Sequence, residues 1–298
     1  MISKKKKYKQ EWFYILIIVP SLLVYCVFFL FPIISSSFYS FFKLPYPGAP
    51  MDFVGFANFK ELFTNTPVFW IALKNNVIYS FFVLVFQTLI SFTLAYVISK
   101  NIRGKGFFKT YFFMPVVMSS VAISFTWDFM YDPNIGILNK LLETLGLGAL
   151  AQNWLGNGDI ALYSVAIVQI WQWVGFEMII FLAAMNNIPK EMFEVSKIEG
   201  ASRWQELRHV ILPSIAPATT IAVVLTTIGC FKVFDMIYIM TDGGPSQSTE
   251  VLAKLTYDYA FKYQRMGFAS AISVILLIVI AFIGFGQLIY LRKKEMNN

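Results

Sequence analysis

The sequence predicts an all-α integral membrane protein with six transmembrane helices, and three observations carry that prediction. Its 298 residues are 57% hydrophobic and only 14% charged, against roughly 25% charged in soluble domains. Six stretches contain no Asp, Glu, Lys or Arg: 12–42, 75–99, 110–127, 160–176, 209–231 and 266–291. Each approaches the roughly 20 helical residues, rising about 1.5 Å apiece, that cross a hydrocarbon core of about 30 Å. The runs are also continuous rather than alternating. That disfavours barrel strands, and isolated strands leave their backbone unsatisfied in lipid.

Helix one is expected over 12–34, ending near Pro32. The basic KKKKYKQEWF before it is followed by an apolar run longer than a secretory signal uses, with no small-residue cleavage site, so it reads as an uncleaved span. An external segment follows, with turn-rich KLPYPGAP (43–50) and a surface helix over 53–63. Helix two covers 72–99, a basic link covers 100–109 and helix three covers 110–130. In the next external stretch, 131–159, Ile135, Leu138, Leu141, Leu142 and Leu145 recur at helical spacing. That pattern predicts a short amphipathic helix at the outer membrane interface. Helix four covers 160–185, helix five 213–239 and helix six 266–290, stopping at Arg292, Lys293 and Lys294. TDGGPSQST (241–249) is an external Gly/Pro turn. Three regions result: 1–70 with the tail, first helix and external segment, a core over 71–291, and a tail over 292–298.

Six crossings put both termini on one side together with 100–109 and 186–211. These segments hold most of the basic residues, including Lys4–Lys7, Lys9, Lys100, Arg103, Lys105 and Lys109, and the positive-inside tendency makes that side cytoplasmic. Topology and anionic lipid account for the net charge of +7, so membrane lipid is the expected partner and nucleic acid is not. Cys26 and Cys230 fall inside spans and read as apolar filler. Neither they nor the lone His209 suggest a metal site.

Between helices four and five lies EVSKIEGASRWQELRHVILPSIAP (194–217). Pro189 ends helix four, and 190–199 reads as a short helix with Met192, Phe193, Val195 and Ile198 on its apolar side. Gly200 supplies a positive-φ stop. Ser202 is a candidate N-cap with Gln205 as its capping-box partner, starting a second short helix with Trp204, Leu207 and Val210. Acids (Glu191, Glu194, Glu199, Glu206) balance bases (Lys190, Lys197, Arg203, Arg208). A lipid-surface segment would be basic, so the balance suggests a protein partner. On spacing alone an ordinary interfacial loop remains the alternative.

The segment resembles the "EAA" coupling loop of permease subunits in ATP-driven, binding-protein-dependent importers. Glu194, Val195, Ser196, Glu199, Gly200, Ala201, Val210, Leu212 and Pro213 carry the match, with Val195 for the usual first Ala and Glu199 for the usual Asp. FVGFANF (53–59), LKNNVIYS (73–80), GILNKLLETLGL (136–147), FKVFDMIYIMTDGGP (231–245) and GFASAISV (267–274) are similar to the sugar-uptake branch, of the maltose-transporter type. The resemblance implies a type I importer permease fold in a bacterial cytoplasmic membrane. Its implied partners are a second homologous permease, two ATPase subunits and an extracellular or periplasmic substrate-binding protein. Glu194, Glu199, Gly200, Ala201 and Pro213 would then serve ATPase coupling. The chain has no G-x-x-x-x-G-K-[ST], so ATP and Mg would be bound by the partner ATPases. No cofactor is expected in this chain.

Charges inside a span cost about 2.5–3.5 kcal/mol on insertion scales and so face a cavity or a partner. Gln169, Trp173 and Glu177 share one face of helix four, flanked by Gln172 and Phe176. A sugar site combines such an apolar ring face with polar groups. Gln87, Phe234 and Asp235 complete the candidate substrate path. For Glu177 and Trp173, solute contact and helix–helix pairing remain equally open. Lys232 and Asp235 are expected to pair within the bundle. A neutral sugar suits Glu177 and the aromatics; glycerol phosphates or polyamines in the same superfamily are the alternative. A secondary transporter would leave 189–217 without a purpose, and no nucleophile–base pair suggests an enzyme.

Overall fold

The computed structural model describes residues 18–100 and 102–296. The basic residues Lys4–Lys9, the expected start of helix one at 12–17 and the last two residues lie outside the described residues. Among the described residues four helices are long and apolar enough to cross a membrane, and up to six spans result if each of two bent helix pairs is one span. The chain divides into two compact units, Met1–Asn65 with Thr256–Ile275, and Thr66–Leu255 with Leu276–Asn298.

In the first unit, α1 (Ile18–Tyr39) runs through Pro32 instead of ending there. Proline lacks the N–H that would bond Phe28. The helix absorbs this with a π turn over Cys26–Leu30, in which Phe31 N–H donates to Cys26 O. A hairpin of β1 (Phe42–Lys43) and β2 (Asp52–Phe53) adds a strand pair that the all-helical expectation omitted, with Phe42 opposite Phe53. The surface helix, α2 (Ala57–Asn65), starts four residues later than expected. Asn58 explains its position: its buried Nδ2 donates to Ser40 O at 2.8 Å and Phe42 O at 3.0 Å. Across this unit Arg265 makes a two-pronged pair with Glu61, at 2.8 and 2.7 Å. Gly267 sits so close to the hairpin that a Cβ there would lie 1.9 Å from Phe42 O.

The second unit is built on α3 (Pro67–Ser99) and α7 (Ala161–Asn186), which pack along most of their lengths. Apolar side chains gain little from leaving lipid for one another, so close fit and polar bonds must hold such helices. Two buried clusters do the packing: one includes Tyr79, Val83, Val165 and Val168, the other Ala95, Ile98, Met178 and Phe181. Ser91 Oγ donates to Val174 O at 2.9 Å across the same helices. Gly175 brings α7 against α4 (Lys105–Phe113), since a Cβ there would stand 1.9 Å from Phe112 O.

The expected third and fifth helices are broken. α4 continues through a tight turn at Met114–Val117 and bends by 98° into α5 (Ser120–Tyr131). Pro115 weakens this stretch, and extended Met118 leaves its carbonyl without a helical partner. Gln172 of α7 satisfies it, Nε2 donating to Met118 O at 3.3 Å. Past α6 (Ile137–Thr144) and α7 comes α8 (Lys190–Ile198). Then α9 (Arg203–Ser214) bends by 68° into α10 (Ala216–Phe231). A second π turn, Leu207–Ile211, precedes Pro213, as in α1. α10 ends before Lys232 and the chain resumes as α11 (Asp235–Met240). α12 (Leu252–Tyr257) and α13 (Met266–Met296) complete the helices. Within this unit Gln287 of α13 donates to Thr227 at 2.9 Å, and Thr220 donates to Glu295.

Candidate functional site

The bend before α5 and the gap between α10 and α11 are two helix breaks that open onto one cavity of about 430 Å³, within the about 300–1,000 Å³ typical of small-molecule sites. Ser120, just past the first break, lines it, as do Lys232, Val233, Phe234 and Asp235 at the second. Gln87 comes from α3, Gln169, Trp173 and Phe176 from α7, and Thr226 and Gly229 from α10. Trp173 and Phe176 meet edge to face at 6.1 Å. The lining thus combines flat apolar surfaces with amide and hydroxyl groups, which can receive a ring face and hydrogen-bond its hydroxyls. Irregular backbone at membrane depth is tolerated where it lines a cavity.

Six of the seven residues read from the sequence as the substrate path, Gln87, Gln169, Trp173, Phe176, Phe234 and Asp235, line this cavity; Glu177 does not. Glu177 is 1% exposed and stands one bond behind the wall, where its Oε2 accepts from Gln87 Nε2 at 2.9 Å. The same Gln87 nitrogen donates to Thr226 Oγ1 at 3.1 Å. Gln87 therefore ties α7 and α10 to α3 while facing the cavity. Lys232 and Asp235, expected to pair, form no ion pair among the described residues; both are exposed at the cavity wall. α10 ends before Lys232 and α11 begins at Asp235, so the two side chains do not share one helix. Ser120 and Thr226 were not singled out from the sequence. Pro115, five residues before Ser120, is the signal that could have pointed to the first break. No three His, Cys, Asp or Glu side chains among the described residues converge to hold a metal ion.

The charged segment forms a second candidate site. α8 starts after Pro189 and ends in a two-bond stop: Ala201 N–H donates to Ser196 O at 2.9 Å and Gly200 N–H to Lys197 O at 3.1 Å. Gly200 takes φ +72° with nothing within 4 Å of a would-be Cβ, so backbone conformation and not space requires glycine here. The capping box read from the sequence forms, with Gln205 N–H donating to Ser202 Oγ at 3.3 Å and Ser202 N–H to Gln205 Oε1 at 2.8 Å. Phe193, Leu207 and Val210 turn inward onto the second cluster. Met192, Val195, Ile198 and Trp204 face outward, Ile198 at 87% and Trp204 at 67% exposure. The apolar side expected of α8 is therefore divided, Phe193 packing inward and the other three outward. Glu194, Glu199 and Gly200 are exposed, and Ala201 and Pro213 are half-buried. An outward apolar patch ringed by balanced charge fits a protein surface better than water.

Residues 4–294 match the family described as binding-protein-dependent transport system inner membrane component. The probable ABC transporter permease protein YurN of Bacillus subtilis (strain 168) is 37% identical over 279 residues, covering 93% of this chain and 95% of that one. The multiple sugar-binding transport system permease protein MsmF of Streptococcus mutans serotype c is 31% identical over 292 residues, covering 98% and 99%. A chain of a bacterial ABC transporter involved in the import of the acidic polysaccharide alginate shares the fold, with a TM-score of 0.83 at 23% identity over 97% of this chain and 98% of that one. The chain belongs to the binding-protein-dependent transport system inner membrane components: it is a multi-pass ABC transporter permease, embedded in the membrane and serving transport rather than catalysis.

Proposed function

We propose that this permease imports a sugar or oligosaccharide, forming half of the solute path, and that separate ATPase subunits drive it through the segment at 189–213. The observation that carries this reading is the cavity at the two helix breaks, where Trp173, Phe176 and Phe234 stand beside Gln87, Gln169 and Thr226. Lys232 and Asp235 offset each other at its wall, which favours a neutral solute over a phosphate ester or a polyamine. The sugar-named relative MsmF supports the same class.

In this reading each bent helix pair is one span, giving six, with both termini and the charged segment on the cytoplasmic side of a bacterial cell membrane. Positive residues at Lys100, Arg103, Lys105 and Lys109 support that side. A second homologous permease completes the path. Two ATPases bind ATP and Mg, and a substrate-binding protein delivers solute from outside. Glu194, Glu199, Gly200, Ala201 and Pro213 form and present the coupling surface, with Met192, Val195, Ile198 and Trp204 as its apolar contact.

The test is affinity purification of the chain from native membranes, mass spectrometry of its companions, and uptake by proteoliposomes across a panel of labelled mono- and oligosaccharides. Recovery of a second permease and an ATPase, with ATP-dependent uptake of a sugar, supports the proposal. Uptake by the chain alone without an ATPase contradicts it.

A further inference from the structure

The short helix α6 stands between α5 and α7, at the end of α7 remote from the charged segment. It has three unlike sides. Leu138 packs against the first core cluster, and buried Asn139 fastens the helix, its Nδ2 donating to Gln152 O at 2.9 Å and its Oδ1 accepting from Trp154 Nε1 at 2.8 Å. Lys140 and Glu143 are exposed on another side. Ile137, Leu141 and Leu145 recur at four-residue intervals, and all are exposed, as are Ile135, Leu147 and Leu150 around them. Trp154 stacks on Tyr131 at 5.9 Å and Tyr131 lies against Trp127 at 5.3 Å.

We propose that α6 is a membrane-interface anchor, lying along the bilayer surface with Ile137, Leu141 and Leu145 in lipid. Two features favour lipid over a protein. The face is wholly aliphatic, whereas contact centres between proteins are enriched in Trp, Tyr and Arg. A substrate-binding protein that comes and goes would also leave this face in water for part of every cycle, and the bilayer is always present. The aromatic stack beneath supports the depth: Trp127 and Tyr131 end α5, and Trp and Tyr gather where membrane meets water. Val121, Phe125 and Phe129, four residues apart on α5, are likewise exposed, and α6 packs on α5, so a bilayer would meet apolar side chains on both helices. The anchor holds the junction of α5 and α7 at a fixed depth while the far end of α7 carries the charged segment.

The test uses the transporter as purified with its companion subunits, with Cys26→Ala and Cys230→Ala and one added cysteine carrying a bimane label. Leu141→Cys and Leu145→Cys report the aliphatic face, Lys140→Cys the charged side. Proteoliposomes contain phospholipid with a nitroxide high on the acyl chain, or are exposed to aqueous iodide. The proposal predicts a several-fold greater loss of emission to the nitroxide than to iodide at positions 141 and 145, and the reverse at 140. Equal iodide quenching at 140 and 141 overturns it. Shielding of 141 and 145 from both quenchers, as a protein covering the face would give, overturns it equally.

Discussion

Gln87 of α3 donates to Glu177 of α7 at 2.9 Å, between the two apolar clusters that hold these helices together. The bond gives a costly intramembrane acid a partner behind the cavity wall. Glu177→Leu leaves the Gln87 amide with Thr226 alone and should lower stability by about 1 kcal/mol. Glu177→Gln keeps an acceptor and should restore most of the loss. Thermal unfolding in detergent, read beside uptake, checks both.

Trp173 faces the cavity with Phe176. Trp173→Ala should raise the KM for sugar uptake or abolish uptake, with complex assembly unchanged. Trp171, outside the cavity lining and packed on Trp127 at 5.6 Å, is the contrast: Trp171→Ala should leave KM near its starting value.

At Gly200, φ +72° with open space around it means that any β-branched residue is strained by its backbone alone. Gly200→Val should insert into the membrane normally and lose ATP-driven uptake. Normal uptake by a stably inserted variant would show that the turn is dispensable.

Gly175 needs space instead. A methyl group 1.9 Å from Phe112 O must push α4 and α7 apart, so Gly175→Ala should cost about 1–3 kcal/mol. A lowered Tm for the purified transporter is the expected readout.

The Glu61 carboxyl is held below its usual range, chiefly by its hydrogen bonds from Arg265, which in turn is raised by Glu61. A carboxyl depressed on folding stabilises the protein above its unfolded pKa of about 4.3. That contribution is lost as pH falls through the lower folded value. Both partners are over a third exposed, so Glu61→Gln should cost only about 0.5–1 kcal/mol near neutrality. The variant should also show a flatter fall of Tm on acidification than the parent.

What could be read from residues alone was local. Pro189, Gly200, Ser202 and Gln205 specify the turn of the charged segment through backbone rules acting over a few residues, and that turn forms as read. The apolar runs likewise marked α7 to within one residue at each end, whereas α3 starts at Pro67 rather than 72 and α13 runs on to Met296 rather than stopping at 290. The first break had only Pro115 as a local signal, and the group that satisfies the Met118 carbonyl, Gln172, lies far along the chain. Lys232 and Asp235 misled at the second: their spacing implies a pair only if the helix continues, and it stops. The hairpin of Phe42 with Phe53 rests on Asn58, whose amide choice no periodicity reports.

The most direct measurement of the central claim is a cross-link from the outward tip of α8. Ile198→Cys, with Cys26→Ala and Cys230→Ala, would be treated with a short bifunctional reagent in the intact transporter. Coupling predicts one product joining this chain to an ATPase subunit, with a yield that changes on adding nucleotide. A transporter that assembles and takes up sugar, yet gives no ATPase product from Ile198→Cys, would contradict the account.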